Sequence, residues 1–325
     1  MILQKTVTGG VFDRPFGYEI SYSSSSRETP ERSRIFQTLF PGERENGAKL
    51  TLQAPKTSAL NFIRLDAGLF NGNGPAAVET DSYKDFIGHL ALSKTSKDET
   101  FKSYYNGGFA STTTNNYVMK EVDGVKAFLP ETIKKGDKIK REYFGIDAQL
   151  GMDWALGLTQ IRAEYLMGTQ PATAKSSSSL TGANTTTSQT TDLTTGVVST
   201  NTVGVDSYSR NFNGYYVYFI QDVLQTPVQL VVKYDVYDPN TDVDGNNIGK
   251  TATGAKATGD ADVKYSTLGL GLNYRWNSNV KIMAYYDIVK NETTNVASLA
   301  NGSTLKDLSK DRKDNVFTLR VQYKF

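Results

Sequence analysis

The stretch Asn315–Phe325 reads NVFTLRVQYKF. Phe317, Leu319, Val321, Tyr323 and Phe325 are apolar or aromatic, and Thr318, Arg320, Gln322 and Lys324 between them are polar. Period-two alternation of this kind is a strand with one greasy face and one wet face. A soluble sheet turns the greasy face to a core. A transmembrane barrel turns it outward to lipid. One strand does not separate the two, so the reading moves outward along the chain.

The chain has 325 residues, of which 22% are charged, with a formal net charge of +2. So small a net charge argues against a dedicated nucleic-acid binder, which carries a clear basic excess. Mean hydropathy is negative, and apolar runs such as YYVYFI from Tyr215 fall far below the ~18 residues of a spanning helix. A barrel needs only every second residue apolar and stays open. With no cysteine and one histidine, His89, disulfides, thiolate sites and multi-histidine metal centres are excluded. No cofactor motif appears either. LGLGL at Leu268 lacks the third glycine and following helix of a dinucleotide fingerprint. His89 and Ser93 would share a strand face roughly 13 Å apart, too far for a nucleophile and its base. The 19 tyrosines outnumber the 15 phenylalanines, as interfacial girdles favour and as β-propensity alone also favours.

Period two predicts about twelve strands: Val11–Tyr22, Ala48–Gln53, Leu60–Leu69, Tyr83–Ser93, Phe101–Gly108, Glu142–Leu150, Leu158–Met167, Phe212–Gln221, Val228–Tyr237, Val263–Trp276, Val280–Lys290 and Asn315–Phe325. The connections alternate long and short without exception, Ser23–Gly47 being long, Ala54–Ala59 short, Phe70–Ser82 long, and so on to the end. Barrels keep short turns on the periplasmic side and long loops outside. On one face of their strands lie Leu268, Leu270, Leu272, Tyr274 and Trp276, and likewise Val228, Leu230, Val232, Tyr234 and Val236. The opposite faces read as polar or mixed, as a water-filled lumen requires. The fold expected is an all-β, antiparallel transmembrane barrel. A secreted or surface all-β adhesin is the competing class, which the Ser/Thr tract AKSSSSLTGANTTTSQTTDLTTG, read as a solvated surface loop, would also suit.

From Arg14 the chain reads RPFGYEISYSSSSRETPERSRIFQTLFPGERENGAKL. PFGYE, the Ser/Arg run and above all LFPGER resemble the phosphate-selective porin O and P family; GLFNGNG and the aromatic-ended last strand are similar too. The resemblance implies a homotrimeric outer-membrane channel of about sixteen strands, selective for small anions such as phosphate and surrounded by lipid and lipopolysaccharide. It also implies a signal peptide and roughly four strands ahead of Met1, residues 1–325 forming one barrel domain. A twelve-stranded barrel closing on itself is the alternative, as is a general or organic-solute porin with little charge selectivity.

Under that resemblance Ser23–Gly47 is the loop that porins fold inward. It carries Arg27, Arg32, Arg34 and Arg44 against Glu28, Glu31, Glu43 and Glu45. Guanidinium forks match phosphate and carboxylate geometry, so the four arginines are candidates for anion contact at the constriction; the alternative is that Arg and Glu pair to brace the loop. Ile35, Phe36, Leu39 and Phe40 are too apolar for a free loop and are expected to pack on the wall. Lys49, Arg64, Arg162, Lys233, Arg275, Lys281, Arg320 and Lys324 are expected to line the lumen. KKGDKIKRE at Lys134 reads as an anion funnel, a solvated loop base or a lipopolysaccharide contact. Asn240–Thr251 matches part of a calcium loop but lacks its position-twelve glutamate, which favours a turn.

Overall fold

The computed structural model describes residues 4–72, 74–75, 84–94, 98–110, 115–132, 138–179, 185–191, 198–204, 206–250, 252–294 and 304–324. Twelve strands follow one another in an antiparallel sheet. They are β1 (Gln4–Asp13), β2 (Arg44–Gln53), β3 (Ile63–Phe70), β4 (Asp85–Lys94), β5 (Asp98–Ala110), β8 (Lys138–Trp154), β9 (Gly157–Ala172), β12 (Ser207–Asp222), β13 (Val228–Asp238), β14 (Tyr265–Arg275), β15 (Val280–Asn291) and β16 (Val316–Tyr323). The alternation of long and short connections holds along this path. Among the described residues β1 pairs only with β2 and β16 only with β15.

The sheet is inside out relative to a soluble one. Along β13 the apolar Leu230, Val232 and Tyr234 are 42%, 37% and 41% exposed, whereas Lys233 and Asp235 on the other face are 4% and 3% exposed. Leu270 and Leu272 of β14 and Val217 and Phe219 of β12 continue the exposed belt. A continuous apolar surface over neighbouring strands far exceeds the patches that water-soluble monomers expose. On β16 Leu319 and Val321 reach 66% and 67%, because among the described residues only β15 flanks them.

Two sequence expectations change. The first strand is Gln4–Asp13, not Val11–Tyr22: Pro15 has no N–H for the ladder, and Gly17 turns the chain at φ +63°. Residues 14–43 instead fold onto the inner face. The long connections, moreover, are themselves structured. Between β5 and β8 the hairpin β6 (Asn115–Val122) and β7 (Val125–Thr132) folds over and pairs with Ser207–Ser209 of β12. Between β9 and β12 the Ser/Thr tract pairs as β10 (Thr185–Thr191) with β11 (Val198–Gly204), since Thr and Val suit a pleated strand. Tyr117 and Phe128 of the first hairpin pack with Tyr208 of β12.

The inner face is not polar throughout. Tyr143, Leu166, Phe212, Tyr216, Tyr218, Ile220 and Val231 point inward and are buried. They are covered by the inward segment, whose only helix, α1 (Arg34–Leu39), presents Ile35, Phe36 and Leu39 to them, with Phe40 just beyond. Each side chain so buried contributes about 1.5–3 kcal/mol before ordering costs. The inner face therefore has an apolar floor, and its charged surface lies around that floor.

Candidate functional site

Residues 14–43 are fastened to the wall at two levels. At the near end, the Glu164 carboxylate of β9 accepts the backbone N–H groups of Tyr18 and Glu19, at 3.3 and 3.4 Å, and the Tyr216 hydroxyl at 2.8 Å. Glu19 in turn accepts the N–H of Ser33 at 3.1 Å and the Tyr218 hydroxyl at 2.8 Å. At the far end, Arg162 of β9 forks onto Glu28 at 2.9 and 3.1 Å. Asn273, Lys281 and Arg320 donate to the carbonyls of Glu28, Arg27 and Pro30 at 2.9, 2.7 and 2.8 Å. One segment leaving β1 thus touches strands as distant as β16, which requires the sheet to curve around it.

The four candidate arginines have different surroundings. Arg32 is a clasp: Nε donates to the Glu19 carbonyl at 2.8 Å, Nη2 to the carbonyls of Ile20 and Tyr22 at 3.2 and 3.1 Å, and Nη1 to Glu43. Burial lowers its pKa from the usual arginine value. Arg27 is 8% exposed, and among the described residues no carboxylate pairs with it and no acceptor meets its Nε. Arg34 stacks on the Tyr265 ring, 4.2 Å from its centroid. Arg44 begins β2, meets Asp13 at 3.4 Å and leaves 68% of its side chain in solvent. Arg27, Arg32 and Arg44, with Glu31 and Glu43, line one cavity of about 610 Å3. Arg34 faces a different cavity on the other side of α1.

Of the cations expected in the lumen, Lys49 and Arg64 both meet Asp66, at 3.6 and 2.9 Å, and line a cavity of about 600 Å3 between the strands β1–β4 and the start of the inward segment. Lys233 pairs with Asp235 at 3.2 Å and Arg275 with Asp222 at 3.3 Å. Arg162, Lys281 and Arg320 hold the inward segment. Lys324 lies exposed beyond β16. Two residues that sequence reasoning passed over belong with these. Arg14, at the entrance to the segment, lies 3.9 Å from Glu45, and burial brings its pKa down to about 10. Tyr22 donates to Glu28 at 2.9 Å, and its phenol is pushed up to about 12, first by burial and then by the Glu28 charge. Neither residue has a sequence signal beyond its place beside PFGYE.

The remaining candidates resolve as structure. In KKGDKIKRE, Arg141 is buried against Asp85 and Lys140 meets Glu142 at 2.5 Å; Lys134 and Lys135 lie outside the described residues. Asn240, Asp242 and Asp244 diverge. Asn240 donates to Asp262 at 2.7 Å, Asp242 accepts from Asn211 at 3.1 Å, and Asp244 accepts the N–H of Asn246 at 3.0 Å. The first two tie the loop to neighbouring segments and only the third is a turn contact; Thr251 is outside the described residues. Among the described residues no three His, Cys, Asp or Glu side chains group as a metal site. His89 faces Asp66 across the β3–β4 pair.

No family model and no curated protein sequence matches the chain. Its backbone is similar to a porin refined at 1.8 Å, with 13% identity and a TM-score of 0.44 over 86% of this chain and 62% of that one. It is also similar to an anion-selective porin from Comamonas acidovorans, with 11% identity and a TM-score of 0.44 over 88% and 64% of the two chains. A third likeness is to OmpT, an outer membrane protein of Vibrio cholerae folded in vitro, with 11% identity and a TM-score of 0.43 over 98% and 75%. The chain spans less than two thirds of the length of the first two. Likenesses at this level assign no role to any residue.

Proposed function

We propose that the protein is a passive channel of the bacterial outer membrane, a porin conducting small anions such as phosphate. The observation that carries the anion preference is Arg27, a guanidinium without a carboxylate partner among the described residues, on the wall of a cavity beside the inward segment. That cavity sets Arg27, Arg32 and Arg44 against Glu31 and Glu43. The neighbouring one sets Arg14, Lys49 and Arg64 against Asp13 and Asp66. Each keeps one positive charge in excess, and in a confined lumen a small excess acts strongly on a passing ion. The exposed apolar belt supports a lipid surround, with lipopolysaccharide at its outer rim. A homotrimer belongs to the same reading. Reversal potential in a salt gradient across a planar bilayer is the test, with cross-linking to count subunits. A positive-ion preference would overturn it.

A general porin with little charge preference is the second reading. It is favoured by the cavity on the Arg34 side of α1, where Arg32, Arg34 and Lys233 are balanced by Glu31, Asp235 and Asp287.

A further inference from the structure

The Arg34 cavity encloses about 500 Å3 between α1 and the inner faces of β13–β16, within the range of small-molecule sites. Its charges do not cancel locally. Arg32 is occupied by Glu43 and three carbonyls, and Lys233 and Asp235 neutralise each other at 3.2 Å. What remains is Arg34 on the inward segment, stacked on Tyr265, facing Asp287 on the wall, with Glu31 beside them. Among the described residues neither Asp287 nor Glu31 is in a salt bridge, and neither carboxylate accepts a hydrogen bond. The cavity wall also holds Tyr285, which is 2% exposed and whose hydroxyl has no hydrogen-bond partner among the described residues. Its ring lies flat over Gly269 and Gly271 of β14, where any Cβ would overlap it. The two glycines therefore fix the ring, with its hydroxyl shut in above Gly269 and only the ring edge on the cavity wall.

We infer that this cavity binds a small zwitterion, a solute with an ammonium and a carboxylate on one short frame, of which the α-amino acids are the simplest class. The solute carboxylate meets Arg34, and its ammonium meets Asp287 and Glu31. A plain anion would satisfy Arg34 but set its charge against two carboxylates. A plain cation would do the reverse, and a neutral solute would engage none of the three charges. The inference rests on the lumen reading of this face but not on the anion preference of the channel.

Binding is measured on the purified full chain in detergent by titration calorimetry with L-alanine, against acetate and methylammonium at equal ionic strength. Alanine is expected to bind more tightly than either. Asp287→Asn and Arg34→Gln are each expected to weaken it about tenfold or more, since each removes a charge-assisted contact, while Arg27→Gln leaves it unchanged. Tyr285→Phe removes only a buried hydroxyl that makes no hydrogen bond among the described residues, so it keeps the fold and should leave alanine binding unchanged; circular dichroism melts confirm folding for every variant. Absence of alanine binding overturns the site, as does acetate binding as tightly as alanine with Asp287→Asn without effect. Because binding is read without current, alanine binding alongside a non-selective current would overturn the anion channel and leave this site standing.

Discussion

Arg162 and Glu28 meet in a two-bond fork, Nη1 to Oε2 at 2.9 Å and Nη2 to Oε1 at 3.1 Å, with side chains only 9% and 10% exposed. One residue stands on the wall and the other at the far turn of the inward segment. The guanidinium also lies over Tyr18 and Tyr22, 5.4 and 4.8 Å from their centroids, and these two rings stack at 5.0 Å. The fork is therefore the latch that keeps the segment against the inner face, and it gives the first prediction. Glu28→Gln leaves a buried guanidinium without its counter-charge, a loss of about 3–5 kcal/mol. The urea midpoint is expected to fall, and single-channel current to become noisier as the segment detaches. A quiet channel with an unchanged midpoint would remove the latch from the account.

The apolar anchor gives a different signature. Phe36 is 1% exposed, stacks near Phe40 with centroids 5.7 Å apart and meets Tyr216 edge-on at 6.1 Å. Phe36→Ala is expected to cost about 3–5 kcal/mol, confined to the inward segment. Protease cleavage between Ser23 and Glu43 should accelerate, while the sheet keeps its circular dichroism spectrum. Equal loss of sheet signal would show that the segment and the wall fold as one unit.

Much of this was legible in the sequence because lipid-facing strands need only period two. Leu230, Val232, Tyr234, Leu270 and Leu272 stand outward as that period requires. Ile35, Phe36, Leu39 and Phe40 were legible for a related reason: four large apolar side chains in a loop must be covered by something. The inner aromatics were not. On β12 Tyr215 is outward and Tyr216 inward, and Val217 and Tyr218 repeat this, so both faces look greasy and no polar lumen can be read from the pattern. The Arg32–Glu43 pair is the bracing that the sequence reading allowed, but the other contacts of Arg32 and the anchoring roles of Lys281 and Arg320 were not legible. Their acceptors are the carbonyls of Glu19, Ile20, Tyr22, Arg27 and Pro30, and a backbone carbonyl leaves no mark in a sequence. The first strand was misplaced because alternation continues past Asp13, although Pro15 and Gly17 already carried the break.

Charge selectivity separates two arginines that the sequence treats alike. Arg27 is buried at the cavity wall without a carboxylate partner among the described residues, whereas Arg44 is 68% exposed and met by Asp13. Solvent and a nearby carboxylate screen Arg44; neither relieves Arg27. Arg27→Gln is expected to move the reversal potential in a tenfold KCl gradient measurably toward zero. Arg44→Gln is expected to change it by less than half as much. An equal effect of the two would show that the field is set by total lumen charge, not by the inward segment.

The last prediction concerns the solvent outside the sheet. Val232 lies midway along β13, faces outward and is 37% exposed, while Lys233 beside it faces inward and is 4% exposed. In water a partly exposed valine tolerates arginine with little change, since surface substitutions away from special features stay within about 0.5 kcal/mol. In lipid the same arginine is driven into hydrocarbon and costs about 2–4 kcal/mol near the bilayer midplane. Urea titration of Val232→Arg refolded into phosphatidylcholine vesicles distinguishes these directly. A cost of 2 kcal/mol or more is expected, shrinking for Trp276→Arg, since Trp276 sits just beyond the end of β14 beside a short turn, where headgroups and water can reach the charge. If Val232→Arg cost under about 0.5 kcal/mol, the exposed belt would not be facing lipid, and the channel reading would fall with it.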